Sequence, residues 1–304
     1  ALPMAVKTVQ VVINGQTHTL TYNATTKKYE ATITAPSTSS YNQNGHYYNV
    51  KVKATDEAGN SVTKDATDTT LGSSLQLKVK EKVAPVISIT APSSSAKLTN
   101  NKPVINWTVT DADSGVNPST IKLIIDSQII TTGITKTQSG KNYTCSYTPT
   151  TALSDGTHTI KVSASDYDGN VATQKSVTFT VDTVPPELSV SAPVDNLVTN
   201  QSSLVVKGTT NDVTSSPVTL TIKLNGGTEQ TVEVGSDGSF TKTLTLVTGE
   251  NTIVITAKDG AGKTSTVTKK VVLDQTAPVI QSVTISPNPV NAGATYTISV
   301  EVTD

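Results

Sequence analysis

Apolar and polar residues alternate along much of this chain. Val6, Val9 and Val11 precede the pair Asn14-Gly15. Ile160, Val162 and Ala164 interleave with Lys161, Ser163 and Ser165. Val218, Leu220, Ile222 and Leu224 run up to Asn225-Gly226, and Ile253, Ile255 and Ala257 follow. A period of two places one apolar face and one Thr/Lys face on each segment, the pattern of half-buried antiparallel strands. Asn14-Gly15, Asp155-Gly156, Asn225-Gly226-Gly227 and Asp237-Gly238 are residue pairs that accept positive φ and so predict tight turns. No stretch has a 3.6-residue period, so no helix beyond single turns is expected.

Two phrases recur. One reads Ala54-Thr55-Asp56-Glu57-Ala58-Gly59-Asn60, then Ala164-Ser165-Asp166-Tyr167-Asp168-Gly169-Asn170, then Ala257-Lys258-Asp259-Gly260-Ala261-Gly262-Lys263. The other is Ala84-Pro85-Val86-Ile87, Pro185-Pro186-Glu187-Leu188 and Ala277-Pro278-Val279-Ile280. An interval of roughly a hundred residues is too long for a helical solenoid repeat and suits a β-sandwich. The proline phrases mark boundaries, because proline fixes φ and removes a donor, making the joints short and stiff. The expected modules are 81–181 and 182–274. Aligning Pro3 with Pro118 makes residues 1–80 a module lacking its first two strands, and 275–304 aligns with the first two strands of a further one. Open sheet edges invite pairing, so 275–304 is expected to complete 1–80 of a neighbouring copy, head to tail. An arbitrary boundary is the plainer alternative.

Composition narrows the function. The formal net charge is −1, and every basic residue is a lysine. Without arginine or a basic patch, nucleic acid is not expected as a partner. No apolar run is long enough to cross a membrane as a helix, so membrane insertion is not expected. The single cysteine, Cys145, excludes an internal disulfide and reads as a small core residue. Aromatic residues are only 4% of the chain. Trp107 shares a strand face with Ile105 and Val109 and reads as core rather than as a sugar platform. Tyr41, Tyr47 and Tyr48 read as packing.

No catalytic set emerges. His18, His46 and His158 stand apart, without a second histidine or cysteine at metal spacing. There is no Gly-x-Ser-x-Gly elbow and no phosphate loop opening a helix. The expectation is no enzyme activity and no required cofactor. Carboxylates cluster only in turns: Asp111-Ala112-Asp113, then Asp166, Asp168 and Asn170, and Asp182 in the following joint. Hard oxygens at alternate positions are what Ca²⁺ takes, so these residues are the metal candidates. Turn geometry alone also favours Asp and Asn.

Val181-Asp182-Thr183-Val184-Pro185-Pro186, Asp155-Gly156-Thr157-His158-Thr159-Ile160 and the Ala-x-Asp-x-x-Gly-Asn turns resemble the tandem bacterial immunoglobulin-like modules of surface proteins. The resemblance implies an all-β fold: tandem immunoglobulin-like β-sandwiches in an elongated rod. It implies a bacterial extracellular or cell-surface location, in which the chain spaces and displays other domains as a stalk or fibre segment, with Ca²⁺ at joints in some members. Two alternatives stay open: an adhesin module binding carbohydrate or a host protein, and a phage tail fibre or decoration. Copies of itself or neighbouring immunoglobulin-like modules are the expected partners.

Overall fold

The computed structural model describes residues 5–304, so Pro3 lies outside the described residues. Contacts divide the chain into two units, Ala1–Val181 and Asp182–Asp304. Among the described residues, apart from three single turns of 3₁₀ helix, at Ser40–Asn42, Asn44–His46 and Gly72–Leu75, the regular structure is all strand.

The first unit opens with β1 (Val6–Ile13), β2 (Gln16–Asn23), β3 (Lys28–Glu30), β4 (Tyr48–Asp56), β5 (Ser61–Lys64) and β6 (Gln76–Leu77). They form one sheet in the order β3-β2-β1-β4-β5, with β6 beside part of β4. Asn14 and Gly15 turn β1 into β2 at φ 49° and 74°, as the Asn-Gly pair requires. The sheet has little core of its own: Val11 and Tyr48 are its fully buried apolar side chains.

A complete sandwich follows: β7 (Val86–Ala91), β8 (Lys97–Leu98), β9 (Ile105–Thr110), β10 (Val116–Ile125), β11 (Gln128–Ile130), β12 (Thr135–Ser139), β13 (Asn142–Tyr147), β14 (Gly156–Asp166) and β15 (Lys175–Val181). One sheet runs β11-β10-β14-β15-β8 and the other β12-β13-β9-β7. Ile105, Trp107, Val109, Leu123, Ile160, Val162, Phe179 and Val181 fill the space between them. Trp107 is fully buried, with Ile89 and Cys145 opposite it on the flanking strands. The core reading of both Trp107 and Cys145 therefore holds.

The second unit repeats the plan with β16 (Glu187–Ala192), β17 (Leu197–Thr199), β18 (Ser203–Asn211), β19 (Thr219–Leu224), β20 (Gln230–Val232), β21 (Ser239–Thr245), β22 (Gly249–Lys258) and β23 (Thr264–Leu273). Its sheets are β16-β18-β21 and β17-β23-β22-β19-β20, closed over Leu204, Val206, Leu220, Ile222, Phe240, Ile253, Ile255 and Val271. A hairpin of β24 (Val279–Ser286) and β25 (Thr297–Thr303) ends the unit, with every strand position exposed.

Register decides which turns meet. In the first sandwich Val86 pairs with Thr110, Val116 with Asp166, and Gly156 with Val181. The segment before β7, the turn after β9 and the end of β14 therefore share one pole, while Val181 leaves from the other. Ten steps of β14, at about 3.3 Å each, separate the two poles. In the second sandwich Glu187 pairs with Asn211 and Thr219 with Lys258, while Gly249 pairs with Leu273. The leading pole there gathers the same three turns.

Close packing is tightest at Gly208 in β18. A Cβ there would stand 2.5 Å from Phe240 Cζ and closer still to the Ser189 carbonyl oxygen. Gly208→Ala is expected to destabilise the second sandwich by about 1–3 kcal/mol, the usual range for overpacking. Chemical denaturation of the purified variant checks this, and an unchanged midpoint would contradict it.

Candidate metal centre

The carboxylate turns assemble into two clusters, one per sandwich. Glu81, Asp111 and Asp166 offer oxygens within 4.8 Å of one another, and so do Asp182, Asp212 and Asp259. Each set draws one residue from the segment ahead of the first strand, one from the turn after the second long strand, and one from the end of the β14 or β22 strand. No cation is needed to explain why these turns adopt their shapes. Asp111 Oδ1 accepts from the amides of Asp113 and Gly115 at 3.0 and 2.8 Å, an Asx turn. Asp212 Oδ1 accepts from Thr214 and Ser215 at 2.9 and 2.7 Å, and Asp259 Oδ1 from Ala261 and Lys263, each at 2.9 Å.

The sets differ from the sequence expectation. Asp111 and Asp166 come together with Glu81; Asp168 and Asn170 bond the same leading segment, Asp113 turns toward the opening sheet, and Asp182 lies in the other cluster. Asp113 faces outward to the opening sheet, accepting from the Ser39 amide at 3.0 Å and the Asn42 side chain at 2.6 Å. Asp168 accepts from the Glu81 amide at 2.9 Å. Asn170 donates to Asp166 Oδ2 at 2.7 Å and to the Glu81 carbonyl at 3.2 Å, so its amide fastens the leading segment. Asp182 joins Asp212 and Asp259 rather than Asp166. The reason is the strand direction above: Asp166 lies at the leading pole of its sandwich, a strand length from Val181. Glu81, Asp212 and Asp259 were missed. The available signal was the repeat itself: Glu81 and Asp182 stand equally far ahead of Pro85 and Pro186, and Asp111 and Asp212 equally far behind them.

The electrostatics are unfavourable for bare protein. Like charges about 4 Å apart repel by about 4 kcal/mol at an effective dielectric of about 20. Burial pushes the Glu81 carboxyl above its ordinary value against the hydrogen bonds from Ser114, and the charges of Asp111 and Asp113 add to the rise. In the second cluster Asp182 is 0% and Asp259 5% exposed. Asp182 accepts from two neutral donors, the Val184 amide at 3.1 Å and the Ser215 hydroxyl.

Histidine and cysteine take no part in either cluster. Burial pushes the Cys145 thiol up to about 11, which leaves it unreactive. His158, 5% exposed, bonds through Nδ1 to Asp126 Oδ2 at 2.8 Å and through Nε2 to the Ser154 carbonyl at 2.7 Å. Burial opposes its protonation, but the bonds to Ser154 and Asp126 outweigh it, and its pKa is raised above 6.5. Two acceptors on one imidazole fit the doubly protonated ring. Asp126, its partner, was not anticipated from the sequence.

Residues 81–183 match the family model of the bacterial Ig-like domain, and 186–275 that of glucodextranase domain B. Both modules are immunoglobulin-like β-sandwiches, and the first is a bacterial Ig-like domain. Among curated proteins the chain is similar to bacillopeptidase F of Bacillus subtilis (strain 168), with 34% identity over 122 residues, or 40% of this chain and 8% of that protein. Among solved structures it is similar to the fibronectin(III)-like modules of Clostridium thermocellum CbhA, at 18% identity and TM-score 0.37, covering 62% of this chain and 94% of that one. It is also similar to a tetra-tandem repeat from the extending region of a large adhesion protein, at 20% identity and TM-score 0.34, covering 97% and 79%.

A raised native pKa means that His158 contributes stability fully below the unfolded value of about 6.5, and that this contribution is lost as pH rises through the native value. The first unit is expected to melt at progressively lower temperature as pH increases from about 6.5 upward. His158→Gln should lower stability at pH 6 and flatten this slope. Melting scans across pH check it; an unchanged slope in the variant would contradict the assignment.

Proposed function

We propose that this chain is a non-catalytic spacer of an extracellular bacterial protein, holding other domains apart as a stalk or fibre segment. The observation that carries the reading is that each sandwich spends its apolar strands on a core of its own and its clustered carboxylates on the segment that leads into it. Such a plan serves connection and mechanical persistence. The arrangement nearest to a catalytic dyad, His158 with Asp126, has both ring nitrogens engaged, so it has no lone pair to activate a nucleophile. The peptidase named among the relatives shares a stretch that is 8% of its length, which carries no activity over to this chain. The match of residues 81–183 to the bacterial Ig-like family supports the same extracellular setting.

A module that binds carbohydrate or a host protein is the second reading. The stack of half-buried Tyr41 on exposed Tyr167, with ring centroids 4.8 Å apart, is the observation that favours it. Single-molecule pulling separates the two. A spacer is expected to give a discrete unfolding event for each sandwich, each releasing roughly 300 Å of chain at about 3.3–3.6 Å per residue. Unfolding at negligible force with no steps would contradict the spacer reading. Saturable glycan binding abolished by Tyr41→Ala would establish the second.

A further inference from the structure

We propose that the β24–β25 hairpin of one copy completes the opening sheet of a second copy, with β25 pairing along β3 and the residues that follow it. Each half of this contact is a fragment of the sandwich that the chain builds twice. In the hairpin, Val279 pairs with Thr303 and Ile280 with Val302, as Val86 pairs with Thr110 and Ile87 with Val109 in the first sandwich. β25 is therefore the counterpart of β9. In the sandwich the other side of β9 is taken by β13. The other side of β25 is bare, because the two hairpin strands form a sheet by themselves. In the opening sheet, β3 pairs with β2 through Tyr29 and Tyr22, as β13 pairs with β12 through Tyr143 and Gln138. β3 is therefore the counterpart of β13. It stops at Glu30, and residues 31–35 belong to no strand. One fragment holds the strand that the other lacks.

The faces match as well as the edges. Val11 opposite Val52 and Ile13 opposite Val50 hold the places that Leu123 with Val162 and Ile125 with Ile160 hold in the sandwich. The sandwich pairs are buried, whereas Ile13, Val50 and Val52 are only half-buried. A cavity of about 340 Å³ opens beside them, lined by Ile13, His18, Ala31, Ile33, Pro36 and Leu77. The hairpin supplies an apolar cover. Ile298, Val300 and Val302 share one face of β25 with Ile285, Val283 and Ile280 opposite them on β24, and all six are exposed. An isolated two-stranded hairpin is marginal in water and needs such a partner. Carrying the β9–β13 register across puts Val302 opposite Tyr29, Val300 opposite Ala31 and Ile298 opposite Ile33, three apolar pairs on the covered face. On the outer face Glu301 meets Glu30, a like-charge cost, with Lys28 on the diagonal.

Charge selects the partner. Residues 1–80 hold eight lysines and five side-chain carboxylates, a formal charge of +3. Residues 275–304 hold Glu301 and Asp304 and no lysine, a formal charge of −2. Two hairpins repel, while a hairpin and an opening sheet attract. Those 30 residues also match one side of a standard interface, roughly 20–30 residues. The contact joins two different surfaces, so it can repeat from copy to copy and build a filament. It does not depend on the chain's acting as a spacer.

The test uses the full chain. Light scattering over a concentration series is expected to show a mean mass that rises beyond one chain. Val300→Lys sets a charge in the covered face and is expected to abolish the rise, with thermal unfolding of the two sandwiches unchanged. A second measurement reads the register. Ala31→Cys and Val300→Cys are purified separately, mixed and exposed to oxidised glutathione; Cys145 is buried and stays out of the exchange. The mixture is expected to give a disulfide-linked pair holding one chain of each variant, which neither variant forms alone. The proposal is overturned by a single-chain mass at every concentration, by Val300→Lys assembling as the parent does, or by assembly without the mixed disulfide. It is also overturned if a chain carrying both substitutions closes the disulfide within itself, which makes the same chain the occupant. The pulling experiment needs no contact between copies, so failure here leaves the spacer reading standing.

Discussion

Antiparallel pairing sends three polar turns of each sandwich to the same pole, and the rest of the molecule's chemistry follows from that. Pairing Val86 with Thr110 and Val116 with Asp166 fixes where Glu81, Asp111 and Asp166 end up, and the apolar alternation inside the strands fixes the pairing. A slip of one residue would turn Ile105, Trp107 and Val109 out to solvent, so the core holds the register and the register holds the carboxylates. The second sandwich reaches the same result with different side chains, through Glu187 with Asn211 and Thr219 with Lys258.

The two poles are fastened differently in detail. In the first, a lattice of hydrogen bonds carries the leading segment: Asp168 takes the Glu81 amide, Asn170 bonds its carbonyl, and Ser114 donates its amide to the Glu81 carboxylate at 2.6 Å. Asp113 then reaches on to Ser39 and Asn42, which links the opening sheet to the same pole. In the second, the turn is Gly260-Ala261-Gly262-Lys263, with no counterparts to Asp168 or Asn170. Asp182 is instead drawn fully inside and met by the Ser215 hydroxyl. The orphaned carboxylate oxygen, Asp259 Oδ2, belongs to the second module.

The fold was largely legible because its signals are local. Period-two alternation located the strands holding Ile160, Val162 and Ala164 or Ile253, Ile255 and Ala257, and the Asn-Gly pairs located the hairpin turns at positive φ. The site was half legible. Asp111 and Asp166 stand out as acidic turn residues, but their company depends on which pole each turn occupies, and that is set by pairing between distant strands. Grouping Asp166 with Asp182 because both lie near the same boundary follows sequence distance, where strand direction decides. Glu81 was missed because it stands where the other joints carry Asp, and Asp259 because it entered only as part of a turn phrase. The pairing of His158 with Asp126 likewise links residues that only the β10–β14 register brings together.

The central claim is that antiparallel register gathers Asp182, Asp212 and Asp259 at one pole of the second sandwich. Amide hydrogen exchange reads that pole residue by residue. The amides that the three aspartates engage, those of Val184, Thr214, Ser215, Ala261 and Lys263, should be protected, and Asp212→Ala should release those of Thr214 and Ser215 while the β22–β23 pairing near Gly249 and Leu273 at the opposite pole stays unchanged. Exchange of these five amides at the rate of an unstructured chain, or a uniform change across the whole sandwich in the variant, would contradict the account.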